Sequence, residues 1–405
     1  MIYLVPVILI LFGCYYYDYR HNTQAKLLLW IIVLVILICI AGFRYRMGGD
    51  TIQYMLYYAN HAVPLDSLKQ ETFTSSRYAP GYVLINSICR TIIDDFMLVQ
   101  IFVAIIFNSI VFYFLWKNTK NKYFALLLYT LLLYIPMNME VLRESLAVGV
   151  FLLAWPFFRD GKWLWYYALC FVALLFHVSS IVLFLFPIIC IPGIKFFFTF
   201  GARIWLVGGI LLIFGFVINY YFFDLIKLIA ITENVMERAE VYSKVAYGGR
   251  GVLNVAGVLS MIFKYVIYPA FAMYCLNQKI NINNDKALQR TEALSIASIY
   301  VAILTSSIFI LTRYNNYLFF FSIIIMSDWI FSKFRIAKKS FRFNFPGWIT
   351  IFLPLIIVFF LSFYAQPIST DGKLKNYMLY YPYKDAITKE TDFDREKVYS
   401  YRRRW

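Results

Sequence analysis

Ten ionisable residues stand at or near the ends of long apolar runs: Arg44, Arg46, Asp50, Arg77, Glu140, Arg143, Glu144, His177, Arg250 and Arg313. Ionisable groups set against hydrocarbon are costly, so each calls for a reason. Six of them are arginines, whose planar guanidinium stays charged and grips phosphate bidentately. Carboxylates and a histidine beside them offer proton acceptors. The mixture suits an anionic phosphate or diphosphate ligand, and no glycine-rich Walker loop is present to cradle a nucleotide. Plainer readings compete with this one. Arg44 and Arg46 could be snorkelling anchors, Arg143 the ion-pair partner of Glu140 or Glu144, His177 a hydrogen-bonded core residue, and Arg313 with Tyr317 a lipid-interface pair. Asp50 tips the balance at the first cluster, because a carboxylate does nothing for lipid anchoring and Gly48-Gly49 lets the backbone approach a ligand. Arg250 sits in a glycine-rich hinge, Tyr247 to Gly251. Tyr54, Tyr57, Tyr58, Tyr78 and Tyr82 supply rings able to stack on sugar faces.

The elements that carry these residues follow from composition. Hydrophobic residues make up 62% of 405 and charged residues 15%, against roughly half and a quarter in soluble domains. Apolar runs of about 17–25 residues, enough to cross ~30 Å of hydrocarbon, recur without a polar block large enough for a separate soluble domain. The expectation is an all-α, polytopic integral membrane protein with about 12 transmembrane helices plus short re-entrant or interfacial helices. It has one integrated domain over residues 1–365, outward loops at 44–77 and 223–255, and a polar tail over 366–405. The start, MIYLVPVILILFG, lacks a basic n-region and a cleavage site, and reads as a retained first helix. Six cysteines (Cys14, Cys39, Cys89, Cys170, Cys190 and Cys275) are scattered singly, a spacing that supports neither a metal site nor a disulfide framework. No metal or cofactor is expected. The net charge of +16 fits cytoplasmic loops on an anionic lipid surface rather than nucleic acid, for which there is no soluble basic domain or stacking motif.

Sidedness follows from the basic loops. SKFRIAKKSFRFN, residues 332–344, marks the cytoplasmic side, and spans near 313–332, 290–311, 256–276, 203–222, 180–192, 163–179, 142–158 and 123–139 are counted back from it. The parity holds only if PGYVLINSICRTII, residues 80–93, does not cross; it is short, opens with Pro80-Gly81 and ends in Arg90, Asp94 and Asp95, as a re-entrant or surface helix does. A last span near 346–365 leaves the tail outside. Residues 224–245 read as an amphipathic helix on the outer surface. All ten ionisable residues then fall on or near the outer side and could converge on one outward cavity, where a diphosphate-bearing, polyprenyl-linked sugar is the natural ligand.

Four stretches carry a family resemblance. FRYRMGGDTIQY fits an R-x-x-x-G-x-D-x-x-x-Y pattern through Arg44, Gly48, Asp50 and Tyr54. YAPGYVLIN has a Pro-Gly start to a short helix, VLRESLAVGV has an R-[QE]-x-x-A helix start at Arg143, and LFHVSSI has an F-H-x-S-[AS] turn at His177. In order and spacing these resemble EpsG-type, Wzy-like polysaccharide polymerases, well over residues 1–190 and thinly beyond, where TRYNNYLFFF resembles a later family arginine. The resemblance implies a polymerase and ligase architecture of the GT-C type in a bacterial inner membrane. It also implies assembly of a surface polysaccharide, such as a capsule, from undecaprenyl-diphosphate-linked repeat units, with no metal required. A chain-length regulator and a flippase are the companions it suggests. On this reading Arg143 and Arg313, with Arg44 or Arg46, stabilise the leaving diphosphate. His177, Asp50 and Glu144 are the candidate bases, with His177 narrowly favoured for an imidazole pKa near 6.5. Tyr54, Arg77, Arg250 and Tyr317 complete the substrate-binding set. An O-antigen-type ligase, a lipid-linked oligosaccharide flippase and a membrane O-acyltransferase are the rivals. The flippase is disfavoured by the lack of internal repeats.

Overall fold

Backbone amides in hydrocarbon must be satisfied within the chain, and this sequence satisfies them with helices. The computed structural model describes residues 2–199, 201–229, 262–267, 269–270, 273, 286–305, 312–337 and 373–403. Among them there is no strand, only one bridge pair between Arg44 and Asp385. They fall into two compact units: one drawn from Met1–Pro187, Phe331–Lys339 and Tyr377–Tyr399, the other from Ile188–Ile330, Ser340–Asn376 and Ser400–Trp405.

In the first unit the helices are α1 (Leu4–Gly13, continued by a π turn, Cys14–Tyr19), α2 (Lys26–Gly42), α3 (Thr51–His61), α4 (Gln70–Thr74), α5 (Pro80–Ile92), α6 (Phe96–Asn118), α7 (Lys122–Leu132), α8 (Leu142–Asp160) and α9 (Trp163–Leu174). Helices α2, α6, α8 and α9 pack in succession, and α1 lies against α2 and α7. At 23 residues, α6 spans about 35 Å at ~1.5 Å per residue. It is the one helix among the described residues long and apolar enough to cross a membrane by itself; Leu4–Tyr19, Lys26–Gly42, Lys122–Leu132, Trp163–Leu174 and Arg203–Gly215 are shorter apolar helices. Large apolar side chains stand exposed along α1, α2 and α9, among them Ile8, Leu28, Leu164 and Phe171, as a lipid-facing surface requires.

Two expected spans are broken. After α7 the chain reaches Pro136, which opens a π turn, Pro136–Glu140, because a proline nitrogen has no N–H to continue the ladder. After α9 it turns at Phe176-His177 and continues as a 3-10 run, Val178–Cys190. The π turn is held by a closed polar network. Asn138 accepts from Asn108 at 2.6 Å, Asn108 accepts from the Tyr129 hydroxyl at 2.9 Å, and Asn138 Nδ2 donates to that hydroxyl at 2.9 Å. With each of these contacts made, the network fixes where residues 136–140 stand relative to α6 and α7. The start of α7 borrows its cap from elsewhere, since the buried Asp18 carboxylate accepts the Phe124 N–H at 2.9 Å.

Helix α6 is started by Asp95, whose carboxylate accepts the Met97 N–H at 2.9 Å and also meets Lys389 Nζ at 2.7 Å. Asp95→Ala is expected to lower stability by about 1 kcal/mol through the lost cap, read as a fall in Tm of the detergent-solubilised protein.

The second unit contains α10 (Pro192–Lys195), α11 (Arg203–Ile229), α12 (Lys286–Thr305) and, as far as Ile330, α13 (Thr312–Ala337). Helices α12 and α13 are joined by small polar side chains, with Ser295 Oγ 2.7 Å from Ser322 Oγ and the Ser298 hydroxyl donating to Asn315 at 3.1 Å. Such pairs let helices associate where lipid removes the hydrophobic incentive. The expected span at 346–365, most of the one at 256–276, and residues 230–255 of the outward loop lie outside the described residues.

Candidate functional site

The stretch FRYRMGGDTIQY folds as a tight loop, residues 43–50, between α2 and α3. Its backbone is left-handed at Arg46 (φ 48°) and Gly48 (φ 101°). A Cβ on Gly48 would lie 2.0 Å from the Met139 carbonyl oxygen, so only glycine fits where the loop presses on the π turn. The Thr51 hydroxyl bridges the same contact, 2.5 Å from the Met47 carbonyl and 3.3 Å from that of Met139. Arg44 turns inward and is 1% exposed. Its Nε donates to the Met47 carbonyl at 3.3 Å and its Nη1 to the Ala41 carbonyl, while its own carbonyl accepts Gln100 Nε2 at 2.8 Å. Burial pushes its pKa down to about 10, so it stays charged at neutral pH.

The other wall of the loop comes from the far end of the chain. Tyr45 N–H donates to the Lys384 carbonyl at 2.8 Å, Gly48 N–H to Leu379 at 3.1 Å, and Ala386 N–H to Phe43 at 2.7 Å. Arg46 forms a bidentate pair with Glu396 at 2.8 and 2.7 Å, which holds its guanidinium above the ordinary arginine range. The Tyr399 hydroxyl lies 2.9 Å from the carbonyls of both Arg46 and Gly48. Tyr380 donates to the Glu140 carboxylate. Buried Arg395 donates to the carbonyls of Met378 and Pro382 and so folds the segment on itself.

Beyond the loop, α3, residues 77–82 and the first turn of α8 meet in a cluster of tyrosines. Arg143 Cζ lies 4.2 Å from the Tyr78 ring centroid and 5.8 Å from that of Tyr54. Arg77 flanks the same ring: its Cζ is 4.8 Å from the Tyr78 centroid, and Nη2 donates to Tyr78 Oη at 2.8 Å and Gln53 Oε1 at 2.9 Å. Burial, with a smaller contribution from the charge of Asp50, holds the hydroxyls of Tyr54 and Tyr78 above their usual range. Arg143 has no carboxylate partner among the described residues. Its Nε is buried with no hydrogen-bond acceptor among them. A buried donor left unmet costs on the order of 1–3 kcal/mol, and an anion seated on Arg143 would remove that cost.

Arg90 anchors the cluster from below, donating to the Tyr58 and Ala62 carbonyls at 2.8 and 2.6 Å and so covering the C-terminal end of α3. At the opposite end of α5, Gly81 N–H donates to the Leu175 carbonyl at 2.7 Å, and a Cβ on Gly81 would stand 2.7 Å from that oxygen. The Pro-Gly start thus seats directly on the turn that carries His177. His177 is buried, and its Nδ1 accepts the Ser179 backbone N–H at 3.1 Å and lies 2.6 Å from Ser179 Oγ. With the Nδ1 lone pair engaged, the neutral ring carries its proton on Nε2 and presents a donor there.

The EpsG family matches residues 27–384 of the 405. The chain belongs to the EpsG family. No curated protein and no solved structure was found to match it. EpsG membership and the apolar helices make this a membrane protein of polysaccharide biosynthesis.

In this EpsG chain the four motif stretches converge: Asp50, Tyr54, Arg77 and Arg143 share one cluster, and the His177 turn abuts it through Gly81. Glu144, 2% exposed, lies in the first turn of α8, where the positive end of the helix favours a carboxylate. Arg44 and Arg46, expected as phosphate ligands, are engaged within the loop: Arg44 Nε and Nη1 donate to the Met47 and Ala41 carbonyls, with Nη2 buried and lacking an acceptor among the described residues, and Arg46 pairs with Glu396. Glu140 likewise pairs with Tyr380 and not with Arg143. The faces of Tyr54, Tyr57, Tyr58, Tyr78 and Tyr82 are buried, so these rings wall the cluster and do not present sugar-stacking surfaces. Arg313 and the fully buried Tyr317 lie on α13 in the second unit. Arg250 lies outside the described residues. Sequence reasoning missed Glu396, Tyr399 and Tyr380; only Tyr380 lies in the tyrosine-rich run YMLYYPYKD, which the sequence leaves open between a sugar platform and a cap. Among the described residues no group of His, Cys, Asp and Glu is placed to hold a metal ion.

Proposed function

We propose that the protein is a polysaccharide polymerase, a glycosyltransferase that joins undecaprenyl-diphosphate-linked repeat units. In this reading it is a multi-pass protein of about 12 spans in the bacterial inner membrane, working on the outer face without a metal. A growing glycan on its lipid diphosphate is transferred to the non-reducing-end hydroxyl of an incoming unit. The acceptor oxygen bonds to the anomeric carbon, the bond to the diphosphate breaks, and the acceptor proton passes to a base. The observation that carries the reading is the Arg143 guanidinium, stacked on Tyr78, unpaired by any described carboxylate and with a buried Nε lacking an acceptor.

Arg143 and Arg77, both close to the Tyr78 ring, neutralise charge as it develops on the leaving diphosphate. Asp50, at the N-cap of α3 one turn before Tyr54, is taken as the base and His177 as a donor. Asp50→Asn should then lower the polymerisation rate by ~10²-fold or more. His177→Gln, which keeps an N–H donor, should stay within about tenfold of wild type. A rate that tolerates Asp50→Asn but collapses with His177→Gln would reverse the assignment.

The experiment is a gel profile of lipid-linked and surface glycan from a deletion strain carrying wild type or Arg143→Ala. Single repeat units without a ladder in the variant support a polymerase. A ladder that is intact but not attached to its final acceptor identifies a ligase, and loss of outward-facing lipid-linked units identifies a flippase.

A further inference from the structure

The C-terminal segment is separated from the 43–50 loop by more than 300 residues of chain, yet it supplies about half of the hydrogen bonds described for that loop. Three backbone bonds join them, Tyr45 to Lys384, Gly48 to Leu379 and Ala386 to Phe43. They cross the loop at its two ends and its middle. Between them lie two left-handed residues, Arg46 and Gly48, a conformation that persists only when its surroundings over-determine it. The Tyr399 hydroxyl is placed to share its single proton between the carbonyls of those same two residues, each 2.9 Å away. Glu396, one turn earlier on the helix Phe393–Arg403, holds the Arg46 side chain through both carboxylate oxygens. Two residues past Gly48 stands Asp50, the N-cap of α3, and one turn later Tyr54, whose ring centroid lies 5.8 Å from Arg143 Cζ. The direction in which α3 leaves the loop, and hence the aim of Asp50 and Tyr54, is set by this turn.

We propose that residues 377–399 are a positioning clasp for the active loop, in which Tyr399 and Glu396 fix the left-handed turn that aims Asp50 and Tyr54 at Arg143. Arg46 acts through Glu396 and not on the substrate. The proposal rests on the polymerase reading for what the clasp serves, but the clasp itself is a matter of structure.

The test uses the full-length protein in lipid vesicles, with the source strain's own undecaprenyl-diphosphate repeat unit as probe. Initial rates are taken over a range of unit concentrations, and protease cutting within 377–399 is followed on the same samples. Tyr399→Phe removes only the hydroxyl and is expected to lower kcat about tenfold with KM within about twofold. Arg46→Ala and Glu396→Ala are expected to fall together and to expose the segment to protease. The exchanged pair, Arg46→Glu with Glu396→Arg, is expected to recover both rate and protection. Activity kept by Glu396→Ala but lost by Arg46→Ala, with no recovery in the exchanged pair, would make Arg46 a substrate ligand and overturn the proposal. Equal protease protection in wild type and all variants would overturn it as well. If wild type makes no polymer while protection follows the pattern above, the clasp stands and the polymerase reading falls.

Discussion

Arg143→Ala is expected to leave single repeat units where wild type gives a ladder, with a fall in rate of at least a hundredfold. The magnitude follows from the loss of one preorganised contact to developing charge, worth about 3 kcal/mol of barrier. Arg143 is well suited to such a role because its cost is already carried by the ground state: its Nε is buried and unmet, and its guanidinium lies 4.2 Å from the Tyr78 ring centroid. Arg143→Lys should not restore the rate, since an ammonium offers neither the stacked plane nor the fork. Unchanged membrane abundance of the variant, measured by immunoblot, separates a lost contact from a lost protein. A ladder retained by Arg143→Ala would remove the observation on which the functional reading stands.

Gly48→Ala should have the second-largest effect. The new methyl would lie 2.0 Å from a backbone oxygen, Met139 O, which no rotamer change can relieve. At φ 101° an alanine also carries a backbone penalty of about 1–3 kcal/mol. The loop must move away from the π turn, and with it go the Thr51 bridge and the start of α3. Polymer is expected to drop by on the order of a hundredfold, with a lower Tm and an exposed C-terminal segment. Gly193→Ala is the control, because its Cβ would meet nothing within 4 Å; it should leave rate and Tm unchanged. Wild-type activity in Gly48→Ala would show that the loop is not part of the site.

Helix content and the motif stretches were legible because each depends on local signals. Apolar run length specifies α6, Pro80-Gly81 specifies the start of α5, and the R-x-x-x-G-x-D spacing marks a loop needing a glycine. Where spans end was less legible: α7 stops at Leu132 and α9 at Leu174 although both lie in longer apolar runs, because a proline at 136 and the Phe176-His177 turn interrupt the ladder. Hydropathy is indifferent to such breaks. The site was legible in part for a similar reason. Residue types announced which groups could bind phosphate, but not which were already engaged. Arg44, Arg46 and Arg143 look alike in sequence; the structure sets Arg44 on the carbonyls of Ala41 and Met47, Arg46 on Glu396 some 350 residues away, and Arg143 on the Tyr78 ring with no carboxylate among the described residues. Glu396 and Tyr399 were invisible because nothing local ties a polar tail to a loop more than 300 residues before it. His177 was legible as a polar residue at the site, but the Ser179 N–H that its Nδ1 meets at 3.1 Å was not.

The most direct measurement is reconstitution of the purified protein in vesicles with defined undecaprenyl-diphosphate repeat units, following chain length and released undecaprenyl diphosphate together. The account predicts a ladder with stoichiometric release of the lipid diphosphate from wild type, and single units with no release from Arg143→Ala. Units that stay single with wild type, or a ladder that persists with Arg143→Ala, would contradict it.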